Sequence, residues 1–62
     1  MESKLKTIRK EKNLSQAELA EKSGVSRATI ANIERGAQIE IFVGTAAKLA
    51  NALNVSVSEV IQ

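Results

Sequence analysis

Residues 16–35, QAELAEKSGVSRATIANIER, decide the fold of this chain. The pattern predicts two short helices joined by a turn at Gly24, because glycine supplies the positive φ that ends a helix. Ser15 precedes the first helix as a capping residue. Glu18 follows three positions later, where its carboxylate can accept from the Ser15 amide. Gly36 is expected to end the second helix in the same way.

The helix-start pattern recurs twice. Ser26 begins the second helix with Thr29 in the position of the glutamate, and Ser56 with Glu59 repeats the full capping box. Hydrophobic periodicity predicts five helices, at about 3–12, 16–23 and 27–35, one that ends near Leu53 and one from Val57. The side chains expected on their buried faces are Leu5, Ile8, Leu19, Ala20, Ile30, Ile33, Val43, Ala46, Leu49, Ala50, Leu53, Val57, Val60 and Ile61.

A rotation of about 100° per residue divides the helix after Ser26 into two sides. Ile30 and Ile33 share the core side. The opposite side is small and polar, with Arg27 on its flank, and consists of Ala28, Ala31, Asn32 and Arg35. Alanine lets a helix approach a groove closely, asparagine can pair with adenine, and arginine can pair with guanine. This face suits the major groove of DNA, although an ordinary solvated helix surface is the alternative.

At the positions that carry this pattern, the chain resembles the lambda-repressor-like (Xre/Cro-type) helix-turn-helix family. Those positions are Gln16, Ala20, Gly24, Val25, Ile30 and Ile33. Residues 50–60, ANALNVSVSEV, are similar to the family's C-terminal stretch, and residues 4–13 are similar to its first helix. The resemblance implies an all-α, compact five-helix DNA-binding domain over residues 1–62, with the helix-turn-helix at 16–35 formed by helices 2 and 3.

The composition argues against several classes of function. The 62 residues include no cysteine, histidine or aspartate, which removes disulfides, the common metal ligands and nearly every nucleophile–base pair. We therefore expect no enzyme, no metal and no other cofactor. The N-terminus lacks the apolar run of a signal peptide, and the longest run of bulky apolar residues is 41–43. A cytoplasmic protein without a membrane segment is expected.

The net charge of +2 is unevenly distributed. Five of the nine cations lie in the first twelve residues, at Lys4, Lys6, Arg9, Lys10 and Lys12. Together with Arg27 and Arg35 they predict a modest basic surface that suits DNA phosphates. For Lys4, Lys6 and Lys12 taken singly, a solvated helix face is the preferred interpretation.

The candidate base-contacting residues are Arg27, Ala28 and Asn32. The resemblance implies that Gln16 contacts a phosphate at the positive end of the second helix, whereas on its own it is an exposed polar residue. The other phosphate candidates are Ser26, Thr29, Arg35 and Lys10. Ser26 is needed first as a cap, and Arg35 has the alternative of interacting only with its own helix dipole.

Arg9 and Glu34 have a structural role by the same resemblance. Family members with an arginine and a glutamate at these positions form a partly buried ion pair that joins the first and third helices. A binding role for Glu34 is disfavoured, because its charge would repel phosphate.

Residues 37–45, AQIEIFVGT, depart from the polar loop that the family commonly has here. Ile39, Ile41 and Val43 alternate like a short strand, so the segment either covers the core or pairs with its copy across a dimer. A single module makes few base contacts, so we expect a homodimer on a pseudo-palindromic site, with half-sites about one helical turn apart. The candidate interface residues, some of which must instead complete the core, are Phe42, Val55, Val57 and Ile61.

These features predict a sequence-specific regulator that binds double-stranded DNA and represses transcription by occluding a promoter. Two alternatives use the same fold, namely a protein-binding adaptor and an antitoxin-type regulator with a partner protein. Enrichment of one sequence from random duplexes would distinguish the DNA-binding regulator from the adaptor, and a co-purifying protein would indicate the antitoxin.

Overall fold

The computed structural model describes residues 4–36 and 43–61, with only the backbone at Ile61, and within these ranges the chain forms five α-helices. They are α1 (Lys4–Glu11), α2 (Gln16–Ser23), α3 (Arg27–Glu34), α4 (Val43–Leu53) and α5 (Val57–Ile61). The all-α class and the helix-turn-helix formed by α2 and α3 are therefore confirmed. The bounds of α2 agree with the prediction, whereas α1 and α3 each end one residue earlier than predicted.

The capping box at Ser15 begins α2 as predicted. The Ser15 hydroxyl oxygen accepts from the Glu18 amide at 3.0 Å, and the Glu18 carboxylate accepts from the Ser15 amide at 2.8 Å. At the start of α3, Ser26 Oγ accepts from the Thr29 amide at 3.1 Å and donates to Thr29 Oγ1 at 2.8 Å. These bonds satisfy amides that have no partner inside their helix.

The full box predicted at Ser56 and Glu59 is wrong in one of its two bonds. The Ser56 amide donates to the Glu59 carboxylate at 3.0 Å, as a capping box requires. The Glu59 amide, however, donates to the carbonyl oxygen of Ser56 at 3.1 Å. Here the Ser56 hydroxyl lies 3.1 Å from the Ser58 hydroxyl and 3.3 Å from the Glu59 carboxylate. The hydroxyl therefore bonds to side chains at the start of α5.

A residue with positive φ follows each of the first four helices. Gly24 and Gly36, both at φ 77°, stand after α2 and α3 as the sequence predicted. Asn13 and Asn54, at φ 60° and 58°, have the same conformation after α1 and α4. Their following residues donate amide hydrogen bonds back into the helix, from Leu14 to the carbonyl of Arg9 and from Val55 to the carbonyl of Ala50. These two turns were not predicted, although an asparagine after a helix is a recognised signal.

The core lies between the helices, where α2 packs on α3 and α4, α1 packs on α3 and α5, and α4 packs on α5. The largest fully buried side chains are Leu5, Leu19, Ile30, Leu49 and Leu53. The other buried apolar residues are Ile8, Val25, Ile33, Ala46, Ala50 and Val60. Because apolar side chains from every helix enter one cluster, the orientation of α3 is set by packing on both of its neighbours.

Three predicted core positions need correction or restriction. Val43 is 79% exposed, because it stands one turn before Ala46, the first buried residue of α4, and so extends beyond the core. Ala20 and Val57 are half-buried and pack against the outside of the cluster. The Ile61 side chain and the segment 37–42, including the predicted alternation at Ile39 and Ile41, lie outside the described residues.

Of the helices in the described ranges, none is long and apolar enough to cross a membrane. Within the same ranges, no three side chains of histidine, cysteine, aspartate or glutamate lie together where they could hold a metal ion.

Candidate nucleic-acid interface

The third helix presents a side that the rest of the fold leaves open. Ile30 and Ile33 are buried on its core side. On the other side Arg27 and Ala28 are exposed and Asn32 is half-buried. The structure therefore brings the three candidate base-contacting residues onto one accessible surface, which we call the α3 face (Arg27, Ala28, Ala31, Asn32 and Arg35).

Two members of the α3 face are bonded to each other. Nη2 of Arg35 donates a hydrogen bond to Oδ1 of Asn32. Arg35 follows the last residue of α3, and its backbone amide still donates to the carbonyl of Ala31 at 3.0 Å. The spacing of three residues places both side chains on the same side of the helix. The contact was not predicted, although this spacing is visible in the sequence.

The N-terminus of α2 lies against the C-terminal end of α3. Gln16, the first residue of α2, is half-buried, and its Nε2 donates to Oε1 of Glu34 at 3.1 Å. One N–H of this amide group therefore remains for another acceptor. This contact could not be predicted from the sequence, because residues 18 positions apart on different helices give no periodic signal.

Glu34 also forms the ion pair with Arg9 that the resemblance implied. Arg9 Nε donates to Glu34 Oε2 at 2.7 Å, and Nη2 donates to Oε1 at 3.0 Å. Nη1 of the same guanidinium donates to the carbonyl of Leu14 at 2.7 Å. Arg9 and Glu34 are both buried, at 8% and 7% exposure, so the pair joins α1 to α3 within the interior.

The surroundings of Glu34 keep it charged. Burial by itself would raise the pKa of Glu34, but hydrogen bonds from Arg9 and Gln16 and the positive charges of Arg9 and Lys6 lower it. The net result is a pKa below the ordinary value of 4.5. A charged Glu34 is the acceptor that holds both Arg9 and Gln16 in place.

The remaining phosphate candidates lie at helix starts or on the surface of α1. Ser26 is exposed and Thr29 is half-buried, and their mutual hydrogen bond leaves the Thr29 hydroxyl hydrogen for another acceptor. Lys4 and Lys10 are exposed on α1, and Lys12 is exposed just after it. The fold thus contains polar donors at the start of α3 and cations on a separate helix.

Of the four candidate interface residues, the structure describes the side chains of two. Val55 and Val57 are half-buried and pack against the core cluster, so each is used at least partly within the chain. Phe42 and the side chain of Ile61 lie outside the described residues.

The architecture and the open α3 face define a helix-turn-helix protein. The model of the helix-turn-helix family matches residues 5–60, and the chain therefore belongs to this family, in its lambda-repressor-like form. A curated relative, named an immunity repressor protein, comes from Bacillus phage phi105. It is 40% identical over 58 residues, which are 94% of this chain and 40% of the relative. The chain thus spans about two fifths of that relative's length. No solved structure matches the chain.

Proposed function

We propose that this chain is a non-enzymatic transcriptional repressor that binds double-stranded DNA in a sequence-specific manner. The observation that carries the proposal is the α3 face, which is held outward by Ile30 and Ile33 on the buried side of the same helix. Membership of the helix-turn-helix family and similarity to a phage protein named an immunity repressor support it. In this mode of binding, the second helix of the motif lies in the major groove.

Three side chains of the α3 face are each suited to a different base. The guanidinium of Arg27 can donate to guanine, the amide of Asn32 can pair with adenine, and the Ala28 methyl can contact the methyl of thymine. Each of the three side chains is at least partly accessible on α3. These contacts would select the sequence.

The phosphate contacts come from the edges of the motif. Gln16 can donate its remaining amide N–H, and the free backbone amides at the start of α2 favour an anion. Thr29 and Lys10 supply further donors at the start of α3 and on α1, and Ser26 remains a candidate whose hydroxyl would have to exchange its bond to Thr29 for one to phosphate. Such contacts orient the protein on the duplex without selecting bases.

Two copies of the chain would bind a pseudo-palindromic site. One motif makes few base contacts, and a two-fold dimer doubles them on half-sites about one helical turn apart. Phe42, Val55, Val57 and Ile61 remain the candidate interface residues, and the partial exposure of Val55 and Val57 is compatible with this role.

Selection from a pool of random DNA duplexes tests the proposal. We expect enrichment of one sequence, and an affinity for it that falls with salt at a log–log slope of about −0.9 for each phosphate neutralised. Asn32→Ala should relax the sequence preference, whereas Gln16→Ala should weaken all sequences alike. Lys48→Ala, which removes an exposed cation from α4, is the control for a general loss of charge.

A pool from which no sequence is enriched would contradict the proposal and would favour a protein-binding adaptor on the same fold. An affinity that does not depend on salt would also contradict it. Circular dichroism of each variant shows whether the helices are retained, so that loss of binding is not confused with loss of folding.

A further inference from the structure

The Arg35 side chain points back along α3 towards Asn32. Arg35 is exposed and lies just beyond the last residue of α3, from where an extended side chain would reach the DNA backbone flanking the groove. Its Nη2 instead donates to Oδ1 of Asn32, one turn nearer to the start of the helix. Side chains on a helix point back towards its N-terminus, so this bond follows the natural direction of the residue. The guanidinium is thus held beside the candidate base-contacting residues.

The hydrogen-bonding capacity of the pair permits two bases to be bound at once. Oδ1 of Asn32 has two lone pairs, of which Arg35 uses one. The second lone pair and the amide nitrogen of Asn32 remain for the N6 amino group and N7 of an adenine. A guanidinium has five N–H groups, so Arg35 retains enough donors for O6 and N7 of a guanine.

We propose that Arg35 is a specificity-determining residue for a guanine in the major groove, and that Asn32 positions it. This inference rests on the proposed function and revises the phosphate role that the sequence suggested for Arg35. The two residues act as one unit that selects an adenine and a guanine at neighbouring base pairs. Asn32 contacts its own base and orients the guanidinium for the other.

An interaction with the helix dipole does not account for this arrangement. The negative end of α3 favours any cation after Glu34, and a lysine would satisfy it equally well. A lysine ammonium is a point charge without the rigid planar fork of donors, so a bond to Asn32 would not aim two parallel hydrogen bonds at guanine as it does for a guanidinium. The bond to Asn32 therefore gives the arginine a role beyond its charge.

Base preferences at each position test the inference. The full chain and its Arg35→Lys, Arg35→Ala and Asn32→Ala variants are each used to select duplexes from the same random pool, with Lys48→Ala as a surface-charge control. We expect the unchanged chain to prefer a guanine at the base pair next to the adenine by roughly 5- to 150-fold, the range of a bidentate base contact. Arg35→Lys should reduce that preference, because the planar fork is lost, and leave the salt slope unchanged. Arg35→Ala should abolish it and leave the adenine preference in place.

Asn32→Ala separates positioning from direct contact. If Asn32 orients Arg35, removing its amide should reduce the guanine preference as well as the adenine preference. Loss of the adenine preference alone would overturn the positioning role. Helical content and melting temperature of every variant are measured in parallel, and Arg35 is exposed, so its substitutions should leave folding intact.

Three results would overturn the assignment of Arg35. A uniform loss of affinity for all sequences, with a salt slope smaller by about 0.9 in Arg35→Ala and restored in Arg35→Lys, would show a phosphate contact. Unchanged binding in both Arg35 variants would show an interaction within the helix only. In both cases the unchanged chain still enriches a sequence, so the proposed function survives. No enrichment by the unchanged chain would overturn both proposals.

Discussion

The guanidinium of Arg9 and the carboxylate of Glu34 face each other through two hydrogen bonds of 2.7 and 3.0 Å, although the residues are 25 positions apart. The same carboxylate accepts from Gln16 at 3.1 Å, and the same guanidinium donates to the carbonyl of Leu14. The buried ion pair thus connects α1, the start of α2 and the end of α3. It holds the two helices of the motif in a fixed relation beneath the α3 face.

Removal of one member of this pair should destabilise the domain strongly. Arg9→Met leaves Glu34 buried without its main partner, and we expect a loss of about 3–5 kcal/mol in the free energy of unfolding. That loss is a large part of the free energy of unfolding of a typical domain, which is roughly 5–15 kcal/mol. Urea denaturation of both single variants and of Arg9→Met/Glu34→Leu measures the coupling. The double variant should lose less than either single one, and additive losses would contradict the buried-pair argument.

Stability should fall at acidic pH because the pKa of Glu34 is lower in the folded chain than the ordinary 4.5. Between these two pKa values the unfolded chain binds more protons, so the stabilisation is complete above 4.5 and is lost as the pH falls through the folded pKa. The hydrogen bonds from Ser15 lower the pKa of exposed Glu18 and so act in the same direction. Denaturation at a series of pH values should show that the free energy of unfolding of Glu34→Gln falls less at acidic pH than that of the unchanged chain. An equal decrease in the two proteins would exclude Glu34 as a cause of the acid sensitivity.

The cap at Ser15 should contribute about 1 kcal/mol to stability. Ser15→Ala removes the acceptor for the Glu18 amide and leaves that amide without its partner at the start of α2. Ser15→Asp supplies another acceptor and serves as the control. Thermal denaturation should place Ser15→Asp near the unchanged chain and Ser15→Ala below it. Equal losses in the two variants would mean that the hydroxyl matters for a reason other than capping.

Alanine substitutions at two glycines should change the free energy of unfolding in opposite directions. A Cβ at Gly24 or at Gly44 would meet nothing within 4 Å, so packing does not distinguish the two positions. Gly24 has φ 77°, where alanine is strained, and Gly24→Ala should cost about 1–2 kcal/mol. Gly44 lies within α4, and Gly44→Ala should stabilise by up to about 1 kcal/mol. Losses of equal size in both variants, measured by urea denaturation, would contradict this reasoning.

Much of the fold follows from short-range chemistry that the sequence displays. The bounds of α2, the caps at Ser15 and Ser26 and the turn at Gly24 all depend on bonds between residues a few positions apart. The two turns at Asn13 and Asn54, which have positive φ, also depend on short-range chemistry, because asparagine after a helix adopts this conformation much as glycine does. The prediction that Val43 is buried is wrong for a different reason. Periodicity indicates on which side of α4 a residue lies, but it does not indicate where along the helix the core ends.

Part of the candidate site can likewise be predicted from the sequence, and part of it cannot. The outward side of α3 can be assigned from the sequence, because helical periodicity and the positions of Ile30 and Ile33 suffice for that. The hydrogen bond from Gln16 to Glu34 became visible in the folded chain alone, because the two residues lie on different helices and meet through packing. Local hydrogen bonds are settled within one turn of helix, whereas contacts across helices depend on how whole apolar faces come together.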